Sequence, residues 1–360
     1  MKFLGPLALA SMALATPRVW NTRKASSPLD LRIEMDGNSK VRAVLTNRGD
    51  HDLRLLKTGT FLDEAPVEKA KIYTSSVYSE NAVPFDGVRL RIATSELEPS
   101  AFQDLPAGQS VTAAFDLAHM HDLSAGGDYH VELSGALSAA AAAADAPTSA
   151  ALVGSLPYRS NRLSIRVDGD TARAASSAFH LQRRSRVRDC RGAQLLATTT
   201  ALAGCTEMAA AAAAAASSGD AGKMVEYFKA ADNGTRGIVA GVFSRVAAEC
   251  GSTTGGVADY FCSDPYGACS GGVLAYTVAA RNLMAYCPLY FARLPPRTQR
   301  CHGQDQATTN LHEVTHLRQI KGTDDFGGYG YQFLQGLTKE QNLNHADTYT
   351  LFANAIDLKC

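Results

Sequence analysis

The sequence predicts two unlike halves: an all-β, sandwich-like N-terminal segment, then a mainly α domain with a small disulfide-stapled region of strands and loops. Three observations carry this. Apolar residues alternate with period two between about 27 and 170, all eight cysteines lie after residue 189, and an alanine-rich stretch follows the first of them. A length of 360 residues suits about two domains. A hydrophobic fraction of 46% is enough to build cores, which excludes wholesale disorder. With 35 basic and 35 acidic side chains there is no basic excess for gripping phosphates, so a nucleic-acid binder is excluded. No internal stretch reads as the roughly 20 apolar residues of a membrane span.

The first residues read as a targeting segment. A basic start at Met1-Lys2-Phe3 precedes an apolar run from Leu4 to Leu14, and Ala13-Leu14-Ala15 fits a small-x-small cleavage site. Residues 1–15 are therefore expected to be a signal peptide. The strand runs follow: Leu31 to Met35, Val41 to Leu45, Val88 to Ile92, Tyr129 to Leu133 and Leu163 to Val167, with Gly, Asn, Asp or Pro between them. The Ala139–Ala144 run reads as a low-complexity insertion. A basic cluster at Arg183-Arg184-Ser185-Arg186-Val187-Arg188 marks where the cysteine-free half meets the cysteine-rich half. Such a dibasic pair in a linker is a site for a processing protease.

Beyond it, helices are expected over Leu195–Ser218, from Asp220 through about Ala231, over Arg236–Glu249, Gln304–Gln319 and Thr338–Ile356. Asn233-Gly234-Thr235 is a turn signal and an N-glycosylation sequon. Residues 259–294 read as short strands and loops. An even number of cysteines behind a signal peptide implies four disulfides in an oxidising compartment, and no CxxC pair suggests structural zinc.

The chemistry is carried by His312-Glu313-Val314-Thr315-His316. On a helix, i and i+4 share one face, so two imidazoles point at one spot as a metal requires. Glu313 stands beside them, placed to take a proton from an attacking water. A catalytic zinc needs a third protein ligand. The glycines of Gly322-Thr323-Asp324-Asp325-Phe326-Gly327-Gly328-Tyr329-Gly330 let the chain turn back under the helix, bringing Asp324 or Asp325 toward the metal. Asp347 is either a helix-surface carboxylate or an acceptor that fixes the tautomer of a ligand imidazole. His302 and His345 are expected to be structural. His51, His119, His121, His130 and His180 lie in the N-terminal half, where they could matter only for latency. The competing reading is a secreted, disulfide-stapled binding or structural protein whose HEVTH helix is inert.

HEVTH followed by GTDD and Tyr329-Gly330 resembles the aspzincin signature of the deuterolysins, the neutral protease 2 family of zinc metalloendopeptidases. The resemblance extends to Asp264-Pro265-Tyr266-Gly267, Leu274-Ala275-Tyr276-Thr277, Leu294-Pro295-Pro296, Cys301-His302 with Asp305 to Thr309, Asn344 to Tyr349, and Ala353 to Cys360. Gly59 to Asp63, Ala65 to Glu68, Val83-Pro84-Phe85 and Gly87 to Leu90 resemble the family's propeptide. The resemblance implies a zincin-like fold and one Zn2+ per chain held by His312, His316 and Asp325. It implies Glu313 as catalytic base and Tyr329 as a donor to the developing oxyanion. Three residues separate Asp325 from Tyr329, one more than the family's short form GTxDxxYG has, and Asp324 stays open as the alternative ligand. It also implies the pairs Cys190–Cys262, Cys269–Cys287 and Cys301–Cys360; counting then pairs Cys205 with Cys250. The expected organisation is a signal peptide (1–15), a β-rich propeptide (16–184) and a secreted metallopeptidase domain (185–360). Expected partners are protein and peptide substrates, with basic proteins preferred, and a processing protease at Arg183-Arg184. No nucleic acid or membrane partner is expected, and the chain is expected to be a monomer.

Overall fold

The computed structural model describes residues 27–75, 80–95, 97–140, 152–181, 189–252 and 255–360. The signal-peptide region, most of the Ala139–Ala144 run and the basic cluster at 183–188 lie outside the described residues.

The N-terminal half is mostly β. Its strands are β1 (Leu29–Met35), β2 (Lys40–Asn47), β3 (Leu53–Leu56), β4 (Lys71–Ser75), β5 (Glu80–Ala82), β6 (Arg89–Ile92), β7 (Phe102–Leu105), β8 (Ser110–Asp116), β9 (Gly127–Glu132), β10 (Ser134–Ala140), β11 (Leu152–Arg159) and β12 (Leu163–Val167). Three antiparallel sheets result, ordered β1-β2-β8, β11-β10-β3-β7 and β12-β9-β4-β5. The period-two runs bury one face: Leu31, Ile33, Val41, Ala43, Leu45, Val131 and Ile165 share a core. The segment is not all-β, because it ends in helix α1 (Gly169–Leu181). Asp168 starts that helix by accepting from the Thr171 amide at 2.8 Å.

The C-terminal half is helical and stapled. It comprises α2 (Gly192–Ser218), α3 (Ala221–Phe228), α4 (Asn233–Cys250), a small sheet of β13 (Asp259–Phe261), β14 (Val273–Val278) and β15 (Leu283–Tyr286), then α5 (Pro288–Arg293), α6 (Gln306–His316), α7 (Tyr331–Gln335), α8 (Lys339–Asn342) and α9 (Ala346–Leu358). Helix α2 is 27 residues long with an 18-residue window of mean hydropathy 1.2, so one internal stretch does reach the length and apolarity of a span. Its small side chains Ala209, Ala212 and Ala216 instead pack into the helical core with Phe243, Val246 and Leu311, and Ala201 packs with Ala275, Tyr286 and Tyr290. The expected single helix over Thr338–Ile356 is broken into α8 and α9. At the break, Asn344 O accepts from the Asp324 amide at 2.7 Å and Asp324 O accepts from the Ala346 amide at 3.1 Å, so the backbone there is committed to another segment. Disulfides join Cys190–Cys262, Cys205–Cys250, Cys269–Cys287 and Cys301–Cys360.

The Val88–Ile92 run departs most from expectation. Strand β6 joins no sheet of its own half. It pairs antiparallel with β14, completing a sheet ordered β13-β15-β14-β6. Leu90 and Ile92 enter an apolar cluster with Tyr276, Val273 and Leu274, so the two halves share a core. The alternation is real, but the intervening arginines do not face water: Arg91 is only 1% exposed.

Candidate metal site

Helix α6 carries the site. Its first turn is closed by a capping box: Asp305 accepts from the Thr308 amide at 2.6 Å, and Thr308 Oγ1 accepts from the Asp305 amide at 2.9 Å. Such a cap stabilises a helix by about 1 kcal/mol. All eleven residues of α6 are buried. Leu311 and Val314 point into the helical core, while His312 and His316 face the sheet side.

The rings are oriented through Nδ1. His316 Nδ1 donates to Thr323 O at 3.0 Å. Asp347 Oδ1 accepts from His312 Nδ1 at 3.2 Å and also from Arg91 Nη1, and the two donors lie 3.1 Å apart. These partners assign the proton to Nδ1 on both rings and leave Nε2 as a lone pair. The two Nε2 atoms stand 3.2 Å apart. Two lone pairs held that close repel unless a cation or proton lies between them.

Gly322, at φ 68°, lets the chain reverse after α6. The Thr323 amide then bonds Thr315 O at 3.2 Å, and Asp324 is pinned by backbone to Asn344 and Ala346. That turn brings Asp325 Oδ1 to 3.3 Å from His312 Nε2 and 3.5 Å from His316 Nε2. Asp324 turns away to Lys71 at 2.6 Å and Arg89 at 2.9 Å. His312, His316 and Asp325 are the metal-competent cluster among the described residues.

These residues fit zinc. Bonds of about 2.0–2.1 Å arranged tetrahedrally separate donor atoms by about 3.3–3.4 Å, close to the spacings here. Asp325 Oδ1 is buried with no hydrogen-bond partner, as is Glu313 Oε1. A buried carboxylate oxygen left alone costs free energy that a cation would recover.

The electrostatics agree. Burial pushes the His312 pKa well down, with Arg91 adding to it. Burial also lowers His316, to about 3, against the pull of Asp325. Both rings are therefore neutral donors at pH 7. Burial raises Glu313 well above the usual carboxylate range, opposed by the bond from Thr277. Thr277 Oγ1, on β14, donates to Glu313 Oε2 at 2.6 Å. Burial raises Asp325. For Asp324, burial is outweighed by Arg89 and Lys71, which hold it below its ordinary value.

Tyr329 is buried and its hydroxyl donates to Leu90 O at 3.0 Å. The Gly330 amide donates to Asp347 Oδ2 at 2.6 Å, tying the Tyr329 loop to α9. Asp347 is thus no surface carboxylate. His345 is buried beside Gly328 O and Thr348, and His302 meets the Tyr227 hydroxyl; neither joins the cluster. The N-terminal histidines His121 and His130 are spent on Pro84 O and Ser164, and His51 is exposed beside Asp50. Sequence reasoning missed Thr277, Arg89 and Arg91, although Arg89 and Arg91 stand in a strand run that was legible.

A helix-borne HExxH with a carboxylate returned from the following turn defines a zinc metalloendopeptidase site. Comparison with known proteins agrees. The profile described as "Deuterolysin metalloprotease (M35) family" matches residues 3–360, and the chain belongs to that family. It is 46% identical over 361 residues to a neutral protease 2 homolog of Colletotrichum graminicola, covering 100% of both chains. It is 40% identical over 357 residues to neutral protease 2 of Aspergillus oryzae, covering 98% of this chain and 97% of that one. A solved zinc peptidase from Grifola frondosa aligns with a TM-score of 0.39 at 17% identity, over 46% of this chain and 97% of the other.

Proposed function

We propose that the chain is made as a secreted prepropeptide and matures to a zinc endopeptidase of zincin-like architecture over residues 185–360. His312, His316 and Asp325 hold one zinc ion. When bound, zinc supplies a Lewis acid that polarises a carbonyl and acidifies water. Glu313 takes the proton of the attacking water and delivers it to the departing amine. Thr277 holds the Glu313 carboxylate, leaving Oε1 directed at the water. Tyr329 donates to the carbonyl oxygen as negative charge develops there.

The observation that carries this is the convergence of His312 Nε2, His316 Nε2 and Asp325 Oδ1 within 3.5 Å of one another, beside a buried Glu313. It weighs against an inert helix, as does the family membership. Four disulfides and no free cysteine support an oxidising, extracellular destination. The signal peptide (1–15), the propeptide (16–184) and the processing protease at Arg183-Arg184 rest on sequence. The active enzyme works as a monomer.

A preference for basic protein substrates is supported by two carboxylates at the cleft that take basic side chains. Asp347 meets Arg91, and Asp324 meets Arg89 and Lys71. The field is local, because residues 185–360 carry 15 basic and 15 acidic side chains. Digesting a mixed protein sample with the zinc-loaded enzyme and sequencing the peptides tests this. Peptides should carry Lys or Arg next to the cut, and a digest with no basic bias would refute the preference. Activity that survives complete removal of zinc would refute the metallopeptidase.

A further inference from the structure

We propose that the peptide bond between Leu90 and Arg91 is cut by the chain's own site, and that strand β6 keeps the site latent until it is cut. The proposal rests on the peptidase reading above and adds the identity of the first substrate.

Strand β6 lies on the outer edge of β14, with Leu90 opposite Tyr276 and Arg91 opposite Ala275. An extended segment added to a sheet edge is held by its main chain. At its centre the Leu90 carbonyl accepts from Tyr329 Oη at 3.0 Å. The Leu90–Arg91 peptide group thus presents its carbonyl to the oxyanion donor, on the strand that packs against the helix carrying the buried Glu313. Hydrolysis needs the carbonyl so held, because its carbon is the atom attacked.

Side chains on both sides hold the bond in register. Arg89 is clamped by Glu68 at 2.6 Å and Asp324 at 2.9 Å. Arg91 is buried on Asp347. Leu90 and Ile92 are 2% and 1% exposed in the core shared by the two halves. No substrate strand can enter while β6 is seated. A blocking side chain on the metal is not required, since none of the described N-terminal histidines reaches the cluster. The reaction balances with one water. Its oxygen bonds to the Leu90 carbonyl carbon, Glu313 carries its proton to the Arg91 nitrogen, and the C–N bond breaks. Once the second water proton has also passed to that nitrogen, a Leu90 carboxylate and an Arg91 ammonium group result, with no redox change.

The test uses the full chain, zinc-loaded, alongside Glu313→Gln and alongside the wild-type chain in chelator. Mass spectrometry should find a fragment beginning at Arg91 in the zinc-loaded wild type alone. Its rate should not change over a tenfold dilution, because the cut is intramolecular. Amide hydrogen exchange on Glu313→Gln reads the seating of the strand without turnover. Leu90–Ile92 should exchange at least ~100-fold more slowly than in the unfolded chain. Hydrolysis of an added unfolded protein while Leu90–Arg91 stays intact would overturn the proposal and leave the peptidase reading standing. Free exchange at 90–92 would do the same. Failure of the zinc-loaded chain to cut either substrate would overturn both.

Discussion

The Thr277 hydroxyl lies 2.6 Å from Glu313 Oε2 and 3.1 Å from that residue's own carbonyl oxygen. A strand side chain therefore sets the rotation of the helix-borne carboxylate. The bond favours the charged form, opposing the upward push of burial on the Glu313 pKa. Removing it should raise that pKa further, so the acid limb of the pH–rate profile should move to higher pH. Thr277→Val should lower kcat about 10- to 100-fold with little change in KM, and Thr277→Ser should restore both. An unmoved acid limb in Thr277→Val would refute the role.

Glu313 is not a member of the donor cluster. Glu313→Gln should therefore bind zinc as the wild type does and lose about 10²- to 10⁴-fold in rate, the usual worth of a general base. Metal content by elemental analysis and peptidase assays on the same sample separate the two effects. Retained hydrolysis in a folded, zinc-bearing variant would exclude the base assignment.

The adjacent aspartates should behave oppositely. Asp325→Ala removes a donor lying 3.3 and 3.5 Å from the two imidazole nitrogens. Zinc affinity, measured by competition with a chelating dye, should fall by more than about 100-fold. Asp324→Ala should keep zinc while breaking the ion pairs to Lys71 and Arg89. Its signature should be faster amide exchange in β6. Reversed phenotypes would place the third ligand on Asp324.

Asp347 touches His312 Nδ1 at 3.2 Å and the Gly330 amide at 2.6 Å. Asp347→Asn keeps the shape but weakens acceptance from the imidazole. Zinc affinity should drop about 10- to 100-fold, the usual cost of losing a ligand's hydrogen-bond partner. Unchanged affinity would mean that Thr323 and the helix alone orient the rings.

Much of this was legible from residue pattern, for physical reasons. The i, i+4 spacing of His312 and His316 needs only a helix to become a donor pair. Period two located β1, β2, β6, β9 and β12, because one face of each must be buried. The split of α8 from α9 was not legible, since it depends on Asn344 and Ala346 bonding a turn that arrives from residue 324. The partner of β6 was hidden for a related reason. Alternation says which face of a strand is apolar, but not which sheet will take it. The roles of Arg89 and Arg91 were hidden because Asp324 and Asp347, which they meet, lie more than 200 residues away in sequence. Helix α1 was overlooked although Asp168 and Thr171 form a cap ahead of an alanine-rich run.

All four disulfides lie within residues 190–360, so no covalent bridge other than the main chain joins the β-rich half to the catalytic half. On the proposal that β6 blocks the site, the strand would act at the effective concentration of a tethered ligand, of about millimolar order for a short linker, while the main chain between the halves is whole. One break in that linker turns it into a free ligand governed by mass action. If the latency proposed above holds, it would then depend on dilution: the severed segment would stay seated in a concentrated solution and lose its hold as the volume grows.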